Sequence, residues 1–153
     1  MASLEEIRSA RLAKLQTLQE KGINPYPAST ARNSSNKEAI EGFEEGKSLT
    51  LAGRILAIRG QGQIIFIDID DGTGKFQALL KNGEPLPVET FELFEQCFDI
   101  GDFVEVQGTL FLTKNGEKTI LAEEVKMLSK SLLPLPEKWH GLTDVEERFR
   151  KRY

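Results

Sequence analysis

Between Gln63 and Gln77 the chain reads QIIFIDIDDGTGKFQ, and its apolar positions recur every second residue: Ile65, Ile67 and Ile69 alternate with Phe66, Asp68 and Asp70. A period of two predicts a strand whose isoleucines face the core while Phe66 lies among carboxylates on the opposite side. Asp70-Asp71-Gly72-Thr73-Gly74-Lys75 is turn chemistry, so a hairpin is expected with Asp70 opposite Lys75, Asp68 opposite Gln77 and Phe66 opposite Leu79. Phe66 and Gln77 are then diagonal neighbours on the solvated face. Residues 49–59 read as a long strand broken by Gly53 and apolar at both parities. That suits a bent strand serving two sides of a closed sheet, and it leaves the direction of Arg59 open. Downstream, residues 75–81 make the return strand, and Val88, Phe91, Phe94, Cys97 and Phe98 give a helix with a broad apolar face stopped at Gly101. Residues 102–112 and 117–128 form a second hairpin around Asn115-Gly116.

At the N-terminus, Ser3 with Glu6 makes a capping box, Leu4, Ile7, Leu12, Leu15 and Leu18 share one side of a helix, and Gly22 followed by Pro25 ends it. Arg8, Arg11 and Lys14 stand near that stripe, where they either lie over the domain or reach a phosphate; a solvated face is the ordinary reading. Residues 24–35 are loop, and residues 36–46 hold one or two helical turns around Ile40 and Phe43. The order strand, strand, strand, helix, strand, strand with a glycine-bent first strand is the layout of an OB-fold. The fold class is therefore mainly β: a five-stranded OB-fold barrel with an N-terminal α-helical extension. The chain divides into a helical extension and loop over residues 1–48, the barrel over 49–128, and a linker over 129–153. In that linker Pro134 and Pro136 favour extended backbone, and the final ERFRKRY reads as a basic helix with nothing to pack on, so a truncated chain is expected.

OB-folds bind along strands two and three and the loops joining strands one to two and four to five. Phe66 lies on the second strand, Gln77 on the third, Arg59 enters the first of those loops and Glu117 leaves the second. A flat ring beside an amide on rigid strands can stack on an unpaired base and hydrogen-bond its edge. The bland reading of Phe66 is an aromatic covering the barrel mouth, and Arg59 could simply pair with Asp68 or Asp70. The net charge of −4 argues against indiscriminate nucleic-acid binding, which depends on neutralising phosphates, so any such role must rest on specific contacts. The barrel is acidic, whereas the two ends lean basic.

With 153 residues and 39% hydrophobic content there is one ordinary core and no room for a second globular domain. A single cysteine excludes an internal disulfide, and with no apolar run long enough to span a membrane the chain is expected to be cytoplasmic. Asp68, Asp70 and Asp71 do not make an EF-hand, because the twelfth position from Asp68 is Leu79 rather than Glu; turn formation and solubility explain them better. Isolated His140 and Cys97 offer no metal-ligand spacing, and no nucleophile constellation is present, so neither a metal site nor a catalytic site is expected. His140 is read as linker and Cys97 as helix packing.

The leading helix RLAKLQTLQEKGINPYP, the strand AGRI, the hairpin core FIDIDDGTGKFQ, the segment LFLTKNGEKTI and the tail LLPLPEKWHGL with ERFRKRY resemble the N-terminal anticodon-binding region of class II lysyl-tRNA synthetases over nearly the whole chain. Aspartyl and asparaginyl synthetases carry similar hairpin cores; the leading helix and tail favour the lysyl branch. The resemblance implies that Phe66 stacks on the central anticodon uridine, that Gln77 and Arg59 address that base or its neighbours, and that Glu117 contacts an outer base. Arg8, Arg11 and Lys14 are candidate tRNA backbone contacts. The family often carries a basic pair where this chain has Ile58-Arg59. It also implies a tRNA(Lys) anticodon stem-loop as partner, a homodimeric full-length enzyme, and ATP with Mg2+ used by a catalytic domain beyond Tyr153; the fragment itself is expected to need no cofactor, to be monomeric and to activate no amino acid. The alternatives are a sequence-tolerant single-strand-binding OB module, an aspartyl- or asparaginyl-type anticodon domain, and a protein-interaction module that docks through Phe66.

Overall fold

The computed structural model describes residues 3–134, so the tail helix and His140 lie outside the described residues. The elements run in the expected order: α1 (Leu4–Glu20), α2 (Asn36–Glu41), β1 (Ser48–Gln61), β2 (Ile64–Asp70), β3 (Lys75–Lys81), α3 (Val88–Cys97), β4 (Phe103–Leu112) and β5 (Lys118–Ser129). The strands close into a barrel in the order β1-β2-β3-β5-β4. Every neighbouring pair is antiparallel except β3 with β5, which run parallel and complete the ring.

β2 and β3 pair in the expected register, with Asp70 opposite Lys75, Asp68 opposite Gln77 and Phe66 opposite Leu79. Ile65, Ile67 and Ile69 point into the core together with Leu51, Ile55, Leu80, Val104 and Ile120. β1 stays one continuous strand through Gly53 and changes partner there: residues up to Arg54 pair with β4, and residues from Arg54 onward pair with β2. A Cβ on Gly53 would stand 2.9 Å from the Asp70 carbonyl oxygen, so the crossing needs a residue without a side chain. α3 covers one end of the barrel with Phe91, Phe94 and Cys97; burial raises the Cys97 thiol pKa. The hairpin around Asn115-Gly116 forms with strand ends within a residue of those expected, and the loop runs from Leu112 to Lys118. Gly116 has φ +80° and Asn115 does not adopt a positive φ, whereas a tight two-residue Asn-Gly turn needs it at both positions.

α1 starts with the expected capping box and ends at Gly22, whose φ is +76°. Its packing differs from the expected stripe: Leu18 is fully buried, Leu4 is 63% exposed, and Arg11 is buried. The helix docks by its C-terminal half on α3 and by polar groups on the segment leaving β5. The Arg11 guanidinium donates to Ser131 Oγ at 3.3 Å and to the Leu133 carbonyl at 3.1 Å. Lys14 pairs with Asp99 at 2.6 Å, and the fully buried Lys130 pairs with Asp99 at 2.8 Å and Asp102 at 2.7 Å. Burial works against ionising Asp99, but the two lysines hold its carboxyl below the usual range.

Candidate nucleic-acid interface

Alternation along β2 leaves Phe66, Asp68 and Asp70 half-buried on the outer face, and on β3 the half-buried Gln77 stands between buried Phe76 and Ala78. Arg59 reaches the same face through an irregularity in β1. Ile55 pairs with Ile69, but the next pair is Ala57 with Asp68, so Leu56 is an extra residue that shifts the parity. Ile58 then faces Ile67, and Arg59 lies opposite Phe66. Without the bulge Arg59 would share the inward parity of Ile55. Glu117 sits in the loop just before β5, which the parallel pairing of Gln77 with Thr119 brings beside β3. Arg59, Phe66, Gln77 and Glu117 therefore line one groove of about 850 Å3, with Lys75 and Lys118 among its other walls.

The polar groups in this groove are held in place. Arg59 forks onto Asp68, Nη1 to Oδ2 at 2.9 Å and Nη2 to Oδ1 at 3.1 Å, and Nη2 also donates to Gln77 Oε1 at 3.3 Å. The hydrogen bond to Asp68 and the nearby carboxylates raise the Arg59 pKa, so it stays a cation. A pair this exposed adds at most about 1 kcal/mol to stability. Its effect is on geometry: the Arg59 charge is neutralised locally and aimed at the amide. Gln77 Nε2 in turn donates to Thr119 Oγ1 at 3.1 Å. The result is a flat ring beside a fixed amide, with Lys75 and Lys118 at the rim.

The adjacent acidic turn has a different role. Asp71 accepts from Arg32 Nη2 at 2.7 Å, from the Asn36 backbone N–H at 2.9 Å, and from Thr73 N–H and Oγ1 at 2.9 and 2.6 Å. Its side chain is only 4% exposed, so solubility does not explain it; it is a clamp between the β2–β3 turn and α2. Although burial opposes ionisation, the bonds from Thr73 and Asn36 and the charge of Arg32 hold its carboxyl below the usual range. Asn36, fully buried, completes the clamp by donating through Nδ2 to the carbonyls of Ile69 at 3.0 Å and Gly74 at 2.8 Å. This places Ile40 of α2 at the groove wall.

Of the three basic residues on α1, Arg11 and Lys14 are engaged with Ser131, Leu133 and Asp99, and Arg8 is exposed; none of them lines the groove. Sequence reasoning missed Lys75, Lys118 and Thr119. Lys75 had a signal, since it stands two residues from Gln77 on the same face of β3. Lys118 comes to the groove, and Thr119 to a place behind Gln77, only through barrel closure. Among the described residues no helix is long and apolar enough to cross a membrane, and no group of His, Cys, Asp and Glu is arranged to hold a metal ion.

Comparison of the sequence with known proteins points to a family. The tRNA anti-codon family model, described as an OB-fold nucleic acid binding domain, matches residues 49–128. The chain is 46% identical over 149 residues to lysine–tRNA ligase 2 of Methanosarcina mazei, covering 94% of this chain and 29% of that protein. It is 45% identical over 152 residues to the lysine–tRNA ligases of Pelotomaculum thermopropionicum and Carboxydothermus hydrogenoformans, covering 98% of this chain and 30% and 31% of theirs. The chain thus spans a little under a third of the length of these relatives. A family match over the whole barrel, together with relatives that align along nearly the entire chain, means that it belongs to the tRNA anti-codon family of OB-fold nucleic acid binding domains, with lysine–tRNA ligases as its homologues.

Proposed function

We propose that this domain recognises the anticodon loop of tRNA(Lys), with Phe66 stacking on the middle uridine, Gln77 and Arg59 addressing its edge, and Glu117 contacting an outer base. The observation that carries the reading is the convergence of these residues on one groove: Arg59 from the end of β1, Phe66 from β2, Gln77 from β3 and Glu117 from the loop before β5, the region that OB-folds use for binding. Stacking is sequence-tolerant, because every base has a π-face, so selection must come from the amide and the groove rim. In the longer protein the domain would serve the attachment of lysine to tRNA(Lys), a ligation that uses ATP and Mg2+ elsewhere in the molecule. Its relatives among the lysine–tRNA ligases support that assignment.

The test is a titration of the chain against an anticodon stem-loop of tRNA(Lys) and three versions with the middle base replaced. A substitution there should weaken binding by about 1–3 kcal/mol, the range for a well-placed base-specific contact. Equal affinity for all four RNAs overturns the reading.

A further inference from the structure

We infer that Thr119 is a positioning residue for base choice: with Arg59 it locks the Gln77 amide in the one orientation that accepts uracil and rejects cytosine. The inference rests on the proposed reading of the middle base by Gln77. Thr119 is fully buried, lies opposite Gln77 in the parallel β3–β5 pairing, and is not a groove-lining residue itself.

The orientation follows from the hydrogen-bonding capacity of the neighbours. A guanidinium carries donors and no acceptor, so the amide atom facing Arg59 Nη2 at 3.3 Å is oxygen. The Thr119 hydroxyl has one proton, which it donates to the Glu117 backbone carbonyl at 3.2 Å. It therefore meets the amide as an acceptor, and the amide atom facing it at 3.1 Å is nitrogen. The two flanks together favour one orientation, Arg59 because it has no acceptor and Thr119 because its proton goes to Glu117. Arg59 reaches Gln77 from β1 across β2 and Thr119 reaches it from β5, on the other flank of β3, so they hold the amide from opposite sides.

A primary amide has two N–H donors and two oxygen lone pairs; with one of each engaged, one donor and one acceptor remain for a base. Uracil presents the complement, an N3–H donor beside a carbonyl acceptor. Cytosine, stacked on Phe66 in the same pose, presents a bare N3 and an exocyclic amine, the reverse pattern. Against a locked amide, cytosine meets acceptor with acceptor and donor with donor. An amide free to rotate half a turn would accept either pyrimidine. The lock therefore acts by excluding cytosine more than by strengthening uracil.

The experiment measures affinity of the whole chain for anticodon stem-loops carrying uridine or cytidine at the middle position, at one salt concentration, for wild type, Thr119→Val, Thr119→Ser and Gln77→Ala. Thr119→Val removes the hydroxyl at nearly constant volume. It should lower the uridine-to-cytidine affinity ratio about fivefold, the effect of one net hydrogen bond, with most of the change in tighter cytidine binding. Thr119→Ser keeps the hydroxyl and should keep the wild-type ratio. If the buried valine prevents folding, Thr119→Ala removes the hydroxyl with less bulk and decides the question. An unchanged ratio, or equal weakening of both RNAs, overturns the lock. If Gln77→Ala abolishes the ratio while the hydroxyl deletion preserves it, the lock alone is wrong. If Gln77→Ala keeps the wild-type ratio, base reading by Gln77 is wrong and the inference falls with it.

Discussion

Phe66 and Ile67 are adjacent in sequence and face opposite sides of β2, so truncating each to alanine separates binding from folding within one strand. Ile67 is fully buried, and Ile67→Ala should cost about 2–5 kcal/mol of stability. The Phe66 ring is half-buried on the outer face; its loss should therefore cost about 2 kcal/mol or less, well below the penalty for a core phenylalanine. For binding the order reverses. A stacked base contributes about 1–3 kcal/mol, so Phe66→Ala should weaken stem-loop binding by roughly 5- to 150-fold. The assay is fluorescence anisotropy with a labelled tRNA(Lys) anticodon stem-loop, paired with urea melts of the same preparations. A salt series sharpens it. With Arg59 neutralised by Asp68, the groove cations are Lys75 and Lys118, and two phosphate contacts give a slope of about −1.4 in log K against log salt, or about sevenfold between 50 and 200 mM. The Phe66→Ala penalty should be the same at both ends of that range, because stacking releases no counterions. Phe66→Ala binding within twofold of wild type, or the two variants losing binding in proportion to their stability, would refute the stacking role.

Other outcomes test the surrounding structure. Lys130→Met leaves Asp99 and Asp102 without their buried cation and should cost about 3–5 kcal/mol in a urea melt, so a loss under about 1 kcal/mol contradicts the assignment. Asp71 has a folded pKa below its unfolded value, so it contributes stability above the ordinary carboxylate pKa that disappears as pH falls through the folded one. Asp71→Asn should cost about 1.5–3 kcal/mol at pH 7 and flatten the stability profile below about pH 5; a parallel acid limb in wild type and variant argues against the clamp. Gly108→Ala would drive a Cβ into the Leu121 carbonyl across the β4–β5 bulge and should destabilise by about 1–3 kcal/mol or more, which an unchanged melting temperature would disprove.

Local chemistry made much of the site legible in advance. The β2–β3 hairpin was readable to the register because three isoleucines on one parity and a glycine-containing acidic turn constrain pairing from both ends. Phe66 was recognisable as an aromatic on the wrong parity, and Gln77 followed from the register. The bulge at Leu56 was not readable, since β1 is apolar on both parities and an extra residue in such a run leaves no mark on the pattern. Nor did the pattern show that Asp71 and Arg11 face inward, because their partners lie 35 and 120 residues away.

The chain alone therefore determined the order of the strands, the core face of each regularly alternating one and the presence of an unpaired aromatic, all properties of neighbours a few residues apart. Tertiary structure decided which way Arg59 points, that Thr119 stands behind Gln77, and that Lys118 joins the groove. Those outcomes depend on a bulge and on a parallel pairing between β3 and β5, and both are set when the barrel closes, by contacts that no short window of sequence contains.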